Sequence, residues 1–157
     1  MARWTGEWLP GTGASDRQAA HWPGETLGLP ESGVGSAASG GARLVAFLVD
    51  LLLAALVTPI FVRFDLQDPV AMQNYNLWSG AVWLAISVVS AAFFGFTPGM
   101  GLLGVRVARL DGASMVGPVR ALVRAVLTLL IVPAAVRNAD GRSWLDRLTG
   151  TVVIRLR

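Results

Sequence analysis

The chain has 157 residues, 54% of them hydrophobic and only 15% charged, with a formal net charge of +3 and a mean hydropathy of +0.56. Soluble domains carry about a quarter charged residues, so this balance belongs to a membrane protein, and the length allows one small bundle without a separate catalytic domain. The lack of cysteine and the single histidine, His21, exclude disulfides, thiolate metal sites, cysteine nucleophiles and any histidine triad built within the chain. All 13 basic residues are arginine, which reads as a genomic composition bias.

Residues 1–40 are rich in Gly, Pro, Ser and Ala and carry a net charge of −2 from Arg3, Arg17, Glu7, Asp16, Glu25 and Glu31. Such a composition buries no core of its own and predicts an irregular arm. Trp4, Trp8 and Trp22 stand out in it, because Trp is enriched at membrane interfaces and at protein contact sites. They are expected either to rest on the headgroup layer or to bind a partner. The arm lacks the apolar run of about 7–15 residues that marks a signal peptide, so the next stretch is expected to be a retained anchor.

Residues 41–62, GARLVAFLVDLLLAALVTPIFV, form an apolar run of about twenty residues, enough for one transmembrane helix over about 42–62. Arg43 and Asp50 interrupt it. Seven positions apart, they share a helix face about 10 Å apart along the axis. That is too far for a direct ion pair, and an unpaired aspartate near mid-membrane costs a few kcal/mol. Each is therefore expected to find a partner elsewhere. A loop of net charge −1 over 63–76 leads to the second span, 77–96, which has no formal charge. Trp78 and Trp83 suit an interfacial belt, and small residues such as Gly80, Ser87 and Ala91 allow close packing on the first span.

Thr97-Pro98-Gly99 ends that helix. Alternation of apolar residues and arginine from Gly104 predicts a strand, and Asp111-Gly112 suits the turn of a hairpin. Pro118 opens a third helix running to about 136. Its uncharged part, 125–136, is twelve residues, short of the about 20 a span needs. Arg120 and Arg124 lie one turn apart on it, and Pro133 bends or ends it. Residues 97–157 hold nine arginines against Asp111, Asp140 and Asp146. The positive-inside rule then favours two full spans with both termini cytoplasmic and a third helix that is interfacial or re-entrant. A tilted third span is the alternative. The segment 140–154 ends in β-type residues and could return beside the 105–110 strand. The expected fold is thus membrane all-α: two transmembrane helices, a third amphipathic, re-entrant or membrane-crossing helix, and a short β-hairpin layer on the cytoplasmic side. Residues 41–157 form the membrane domain and 1–40 the arm.

These residues resemble the RDD family of small membrane proteins, named for one arginine and two aspartates. Arg43 and Asp50 match the arginine at the entrance of the first helix and the aspartate within it. TPGMGLLGVRV, from Thr97 to Val107, is similar to the block after the second helix, with Met100 where a lysine is common. Arg120 and Arg124 fall where the family places an arginine pair. WLDRLTGTV, from Trp144, resembles the ending that supplies the second aspartate, Asp146; a tryptophan replaces the usual histidine, so no proton-handling role carries over. The match covers 41–154, and the arm looks like the extension of actinobacterial members. The resemblance implies little about molecular role: transport of unknown ligands has been proposed, and some members are linked to sodium–proton exchange.

Three functions are weighed. In the first, Arg43, Asp50, Asp146, Arg120 and Arg124 form a structural charge cluster with Arg43 beside Asp146 and Asp50 meeting Arg124; the protein is then a non-catalytic accessory or scaffold subunit of a larger membrane complex. In the second, Asp50 is the cation- or proton-binding carboxylate of an oligomeric transporter, although two spans enclose no pathway. In the third, the arginine-rich face binds anionic lipid. No enzyme is expected, since Ser143 and Thr149 beside Asp146 lack an activating base and no phosphate-binding loop with its lysine is present. No metal, cofactor or nucleic acid is expected. The partners expected are membrane lipids and another integral membrane protein, or further copies of the chain.

Overall fold

The computed structural model describes residues 21–111, 115–130, 146 and 148–157. Helix α1, Gly40–Val57, opens on Ser39, whose side chain accepts from the Ala42 backbone N–H at 3.2 Å, satisfying a donor the first turn leaves free. Positions four apart then sort onto two faces. Ala46, Asp50, Ala54 and Thr58 are buried, while Leu44, Leu48, Leu52 and Leu56 on the opposite face are more than half exposed.

Helix α2, Pro69–Phe94, begins well before the expected 77. Asp68 caps it by accepting from the Val70 and Ala71 N–H groups at 2.9 and 3.2 Å. Pro69 at the first helical position adds a preset φ. The polarity of 70–76 therefore marks the end of the apolar stretch, not the end of the helix. Two helical stretches, Gly40–Ile60 and Pro69–Phe94, are long and apolar enough to cross a membrane.

At the connection between them, Phe61 meets Trp78 and Phe64 meets Tyr75 edge-on, with ring centroids 6.1 and 5.0 Å apart. The Tyr75 hydroxyl donates to the Ala55 carbonyl at 2.6 Å. Trp83 is not in this aromatic belt. It is 3% exposed, against the edge of Phe47 and packed with Ala54 and Ala125, because it lies on the inward face of α2.

Gly95, at φ 76°, ends α2, and Thr97 caps the short helix α3, Pro98–Leu102. Strand β1, Val105–Arg109, follows. Helix α4, Pro118–Leu129, starts where the Gly117 N–H donates to the Ala92 carbonyl at 3.3 Å. Its Ala121 packs on Ala91 and Ala92, and its Ala125 on Ala54 and Trp83. It therefore runs antiparallel to α2, with alanines permitting close approach. The rest of the expected third helix, 131–136 with Pro133, lies outside the described residues.

Strand β2, Thr151–Arg155, pairs antiparallel with β1, from Val105 opposite Arg155 to Arg109 opposite Thr151. The sheet is not a hairpin turned at Asp111-Gly112, since α4 lies between its strands. On its other edge β2 holds the chain leading into α1. Gly35 N–H donates to Arg155 O at 2.9 Å, Arg155 N–H to Ser36 O at 2.9 Å, and Ala38 N–H to Val153 O at 2.8 Å. Ala38, Val105, Val107, Val116 and Val153 form the small core here. Because β2 follows α4 but pairs with the strand preceding it, the chain comes back to the end of the bundle from which α4 set out.

Candidate functional site

The five charged residues picked out from the sequence fall into three groups. The first is built on Asp50, 6% exposed on the inward face of α1. Its Oδ1 accepts from the Gly99 backbone N–H at 2.6 Å, and its Oδ2 accepts from the Thr97 hydroxyl. That hydroxyl in turn accepts from the Met100 N–H at 3.2 Å. Asp50 thus ties α1 to the first turn of α3. The expected contact with Arg124 does not form: Arg124 is committed elsewhere, and the Thr97 hydroxyl with the Gly99 backbone N–H supplies what the aspartate needs.

The second group centres on Asp146, which is 0% exposed. Its Oδ2 accepts from Arg43 Nη1, and its Oδ1 from Arg124 Nη1 at 2.7 Å. The same Arg124 nitrogen reaches the hydroxyls of Thr151 and Thr149 at 2.5 and 3.3 Å, which lie 2.8 Å from each other. One carboxylate therefore joins α1, α4 and the approach to β2. Burial alone would push the Asp146 carboxyl up, but the Arg124 and Arg43 guanidiniums outweigh it and hold the group below the usual carboxylate range. Burial pulls the Arg124 guanidinium down from its ordinary value, against the attraction of Asp146.

Arg120 joins neither group. One turn before Arg124, it sits on the outside of the bundle with its Nη1 3.4 Å from Asp111 Oδ2. Asp111 also takes Arg109 Nε at 2.8 Å, and this hydrogen bond raises the Arg109 pKa. Of the three arm tryptophans, Trp22 spends its indole N–H on the Leu29 carbonyl at 2.9 Å, closing a loop of its own segment; Trp4 and Trp8 lie outside the described residues. Thr97, Gly99, Thr149 and Thr151 were not singled out as partners of the charges. The signal for the first pair was present, since a Thr-Pro-Gly stretch is a helix cap with free N–H groups.

Among the described residues no three His, Asp or Glu side chains come together as a metal site. The arrangement can hold helices together, since the oxygens of both buried aspartates accept from donors of their own chain. No curated protein and no solved structure matches the chain significantly. The family model of the RDD family matches residues 37–154. With its two apolar helices, this small membrane protein belongs to the RDD family.

Proposed function

We propose that the chain is a non-catalytic scaffold or accessory subunit of a larger membrane assembly, in which the two buried aspartates fasten the bundle and the N-terminal arm reaches a partner. One observation carries this reading. All four carboxylate oxygens of Asp50 and Asp146 accept hydrogen bonds from their own chain. A transport carboxylate has to exchange its ligands for water or a cation as it works, and Asp50 could do so only by letting go of α3. The hydroxyl of Thr149 is likewise turned to Arg124 and Thr151.

The same reading puts both termini at the cytoplasmic face, with α4 entering from that side and not crossing. Twelve residues extend about 18 Å, against a hydrocarbon core of about 30 Å. The exposed Val119, Leu122, Val126 and Leu129 on α4 then face lipid.

Mass spectrometry of the tagged protein, extracted with its surrounding lipid at endogenous level, tests the proposal. The expected result is a second protein at fixed stoichiometry, lost when residues 2–20 are deleted. Recovery of only further copies of the chain, with an ion flux that Asp50→Asn abolishes, overturns it in favour of oligomeric transport.

A further inference from the structure

Two guanidiniums share one carboxylate in the Asp146 group, so the group by itself carries one uncompensated positive charge. The surplus can be located. Arg43 meets Asp146 through Nη1 alone. Its Nε and Nη2 are buried and have no hydrogen-bond partner among the described residues. Those two nitrogens form one edge of the planar guanidinium, and their N–H bonds point the same way at a spacing that matches two oxygens of a carboxylate or phosphate. Nitrogens of a charged group left dry in this manner are costly unless something fills the edge.

The placement narrows what that something is. Arg43 is in the first turn of α1, an 18-residue helix, and side chains there lean toward the helix N-terminus, where the backbone adds positive potential. This is the end of an apolar span, the depth at which lipid phosphates lie. The Arg43 side chain as a whole keeps 14% of its surface open, so the group lies at the rim of the bundle and is not sealed within it.

We propose that the Nε–Nη2 edge of Arg43 is a binding site for a phosphate-class oxyanion. Arg124 contributes the second positive charge, and Asp146 clamps Nη1 so that the free edge keeps its direction. The oxyanion is either a lipid headgroup phosphate or free phosphate. The inference does not depend on the scaffold reading, since it would hold for a transporter as well.

The test uses the full chain in a maltoside detergent, stripped of lipid, with ionic strength held constant by chloride. Inorganic phosphate, phosphatidylglycerol in mixed micelles and a phosphate-free galactolipid are titrated separately while the melting temperature is followed. The expected result is a saturable rise with phosphatidylglycerol, and none with the galactolipid. A matching rise with inorganic phosphate identifies free anion as sufficient, and a rise with the lipid alone identifies the headgroup. Arg43→Lys keeps the charge facing Asp146 but gives up the paired N–H groups, and should weaken the apparent affinity by about tenfold or more. Arg155→Gln with Arg157→Gln, changes at exposed positions, should leave it unchanged. Absence of any rise, or a rise that Arg43→Lys retains or the Arg155/Arg157 variant removes, overturns the proposal. If Arg43→Lys does not fold, phenylglyoxal modification of the wild type decides, read at the Arg43 peptide: slowing by the stabilising phosphate ligand supports the site, and an unchanged rate overturns it.

Discussion

Gly99 rests directly on α1 beside Asp50. Its N–H donates to Asp50 Oδ1 at 2.6 Å, and a Cβ added at Gly99 would stand 2.1 Å from the Ala46 carbonyl oxygen and 3.0 Å from Asp50 Oδ1. Both obstacles are on one helix, and one of them is backbone, which cannot rotate away. Gly99→Ala should therefore part α3 from α1 at a cost of about 1–3 kcal/mol or more. Thermal melting in detergent checks this against Gly41→Ala, where a Cβ meets nothing within 4 Å. Equal melting of the two variants would count against the close approach.

Thr97 serves twice, donating its hydroxyl to Asp50 and accepting from Met100 N–H. Thr97→Val keeps the shape and removes both bonds, and should cost about 1–2 kcal/mol. Thr97→Ser keeps the hydroxyl and should recover most of the loss. If Val and Ser variants melt alike, the Asp50 bridge contributes nothing.

Asp146→Asn leaves Arg43 and Arg124 buried without their carboxylate. Loss of one partner from a buried ion pair typically costs about 3–5 kcal/mol, so the amount of folded protein in the membrane should fall sharply. Arg120→Gln is the matched control, because its ion pair with Asp111 is exposed at 3.4 Å, and such pairs contribute at most about 1 kcal/mol. Normal abundance of Asp146→Asn would dissolve the idea that this group fastens the bundle.

Acid should act through the same residue. The Asp146 carboxyl is held below the usual range in the folded chain, whereas unfolded it titrates near 3.9. Between the two values the unfolded chain binds more protons, so stability rises with pH there. The contribution is complete above the unfolded value and disappears as pH falls through the folded one. The melting temperature should accordingly hold from neutrality down to about 4 and drop only below it, less steeply in Asp146→Asn. A drop beginning at higher pH would contradict the assignment.

Truncation separates the arm from the sheet. Deleting residues 2–20 should leave melting unchanged. Deleting 2–38 removes the hydrogen bonds of Gly35, Ser36 and Ala38 to β2 and should lower it. Identical melting of the two deletions would mean that this edge of β2 needs no cover.

The residues differed in how plainly they announced these roles. The two long apolar helices were legible because about twenty apolar residues in a row leave few other options, and Arg43 with Asp146 followed from both lying at one end of the bundle. The early start of α2 was hidden, since Asp68 and Pro69 are helix signals set in polar sequence that resembles a loop. Trp83 was misplaced because tryptophan near the end of an apolar stretch fits the belt and the core equally well until the inward face is known. Asp50 was matched with the wrong donor for a related reason. Arginines draw the eye as partners for a buried aspartate, yet a turn of α3 offers a backbone N–H and a hydroxyl at no cost in charge burial. The pairing of β2 with residues 35–38 had no local signal, because three residues of ladder leave no periodicity to read.

The position of β2 between β1 and residues 35–38 also fixes an order of events. During synthesis α1, α2 and α4 emerge first, carrying Arg43 and Arg124 without a counter-charge. Asp146 and the strand that closes both edges are made afterwards. The bundle thus lacks the carboxylate that Arg43 and Arg124 share until the stretch after α4 is made. In this chain the segment made after α4 supplies both the carboxylate that gathers the two arginines and the strand that joins β1 to residues 35–38.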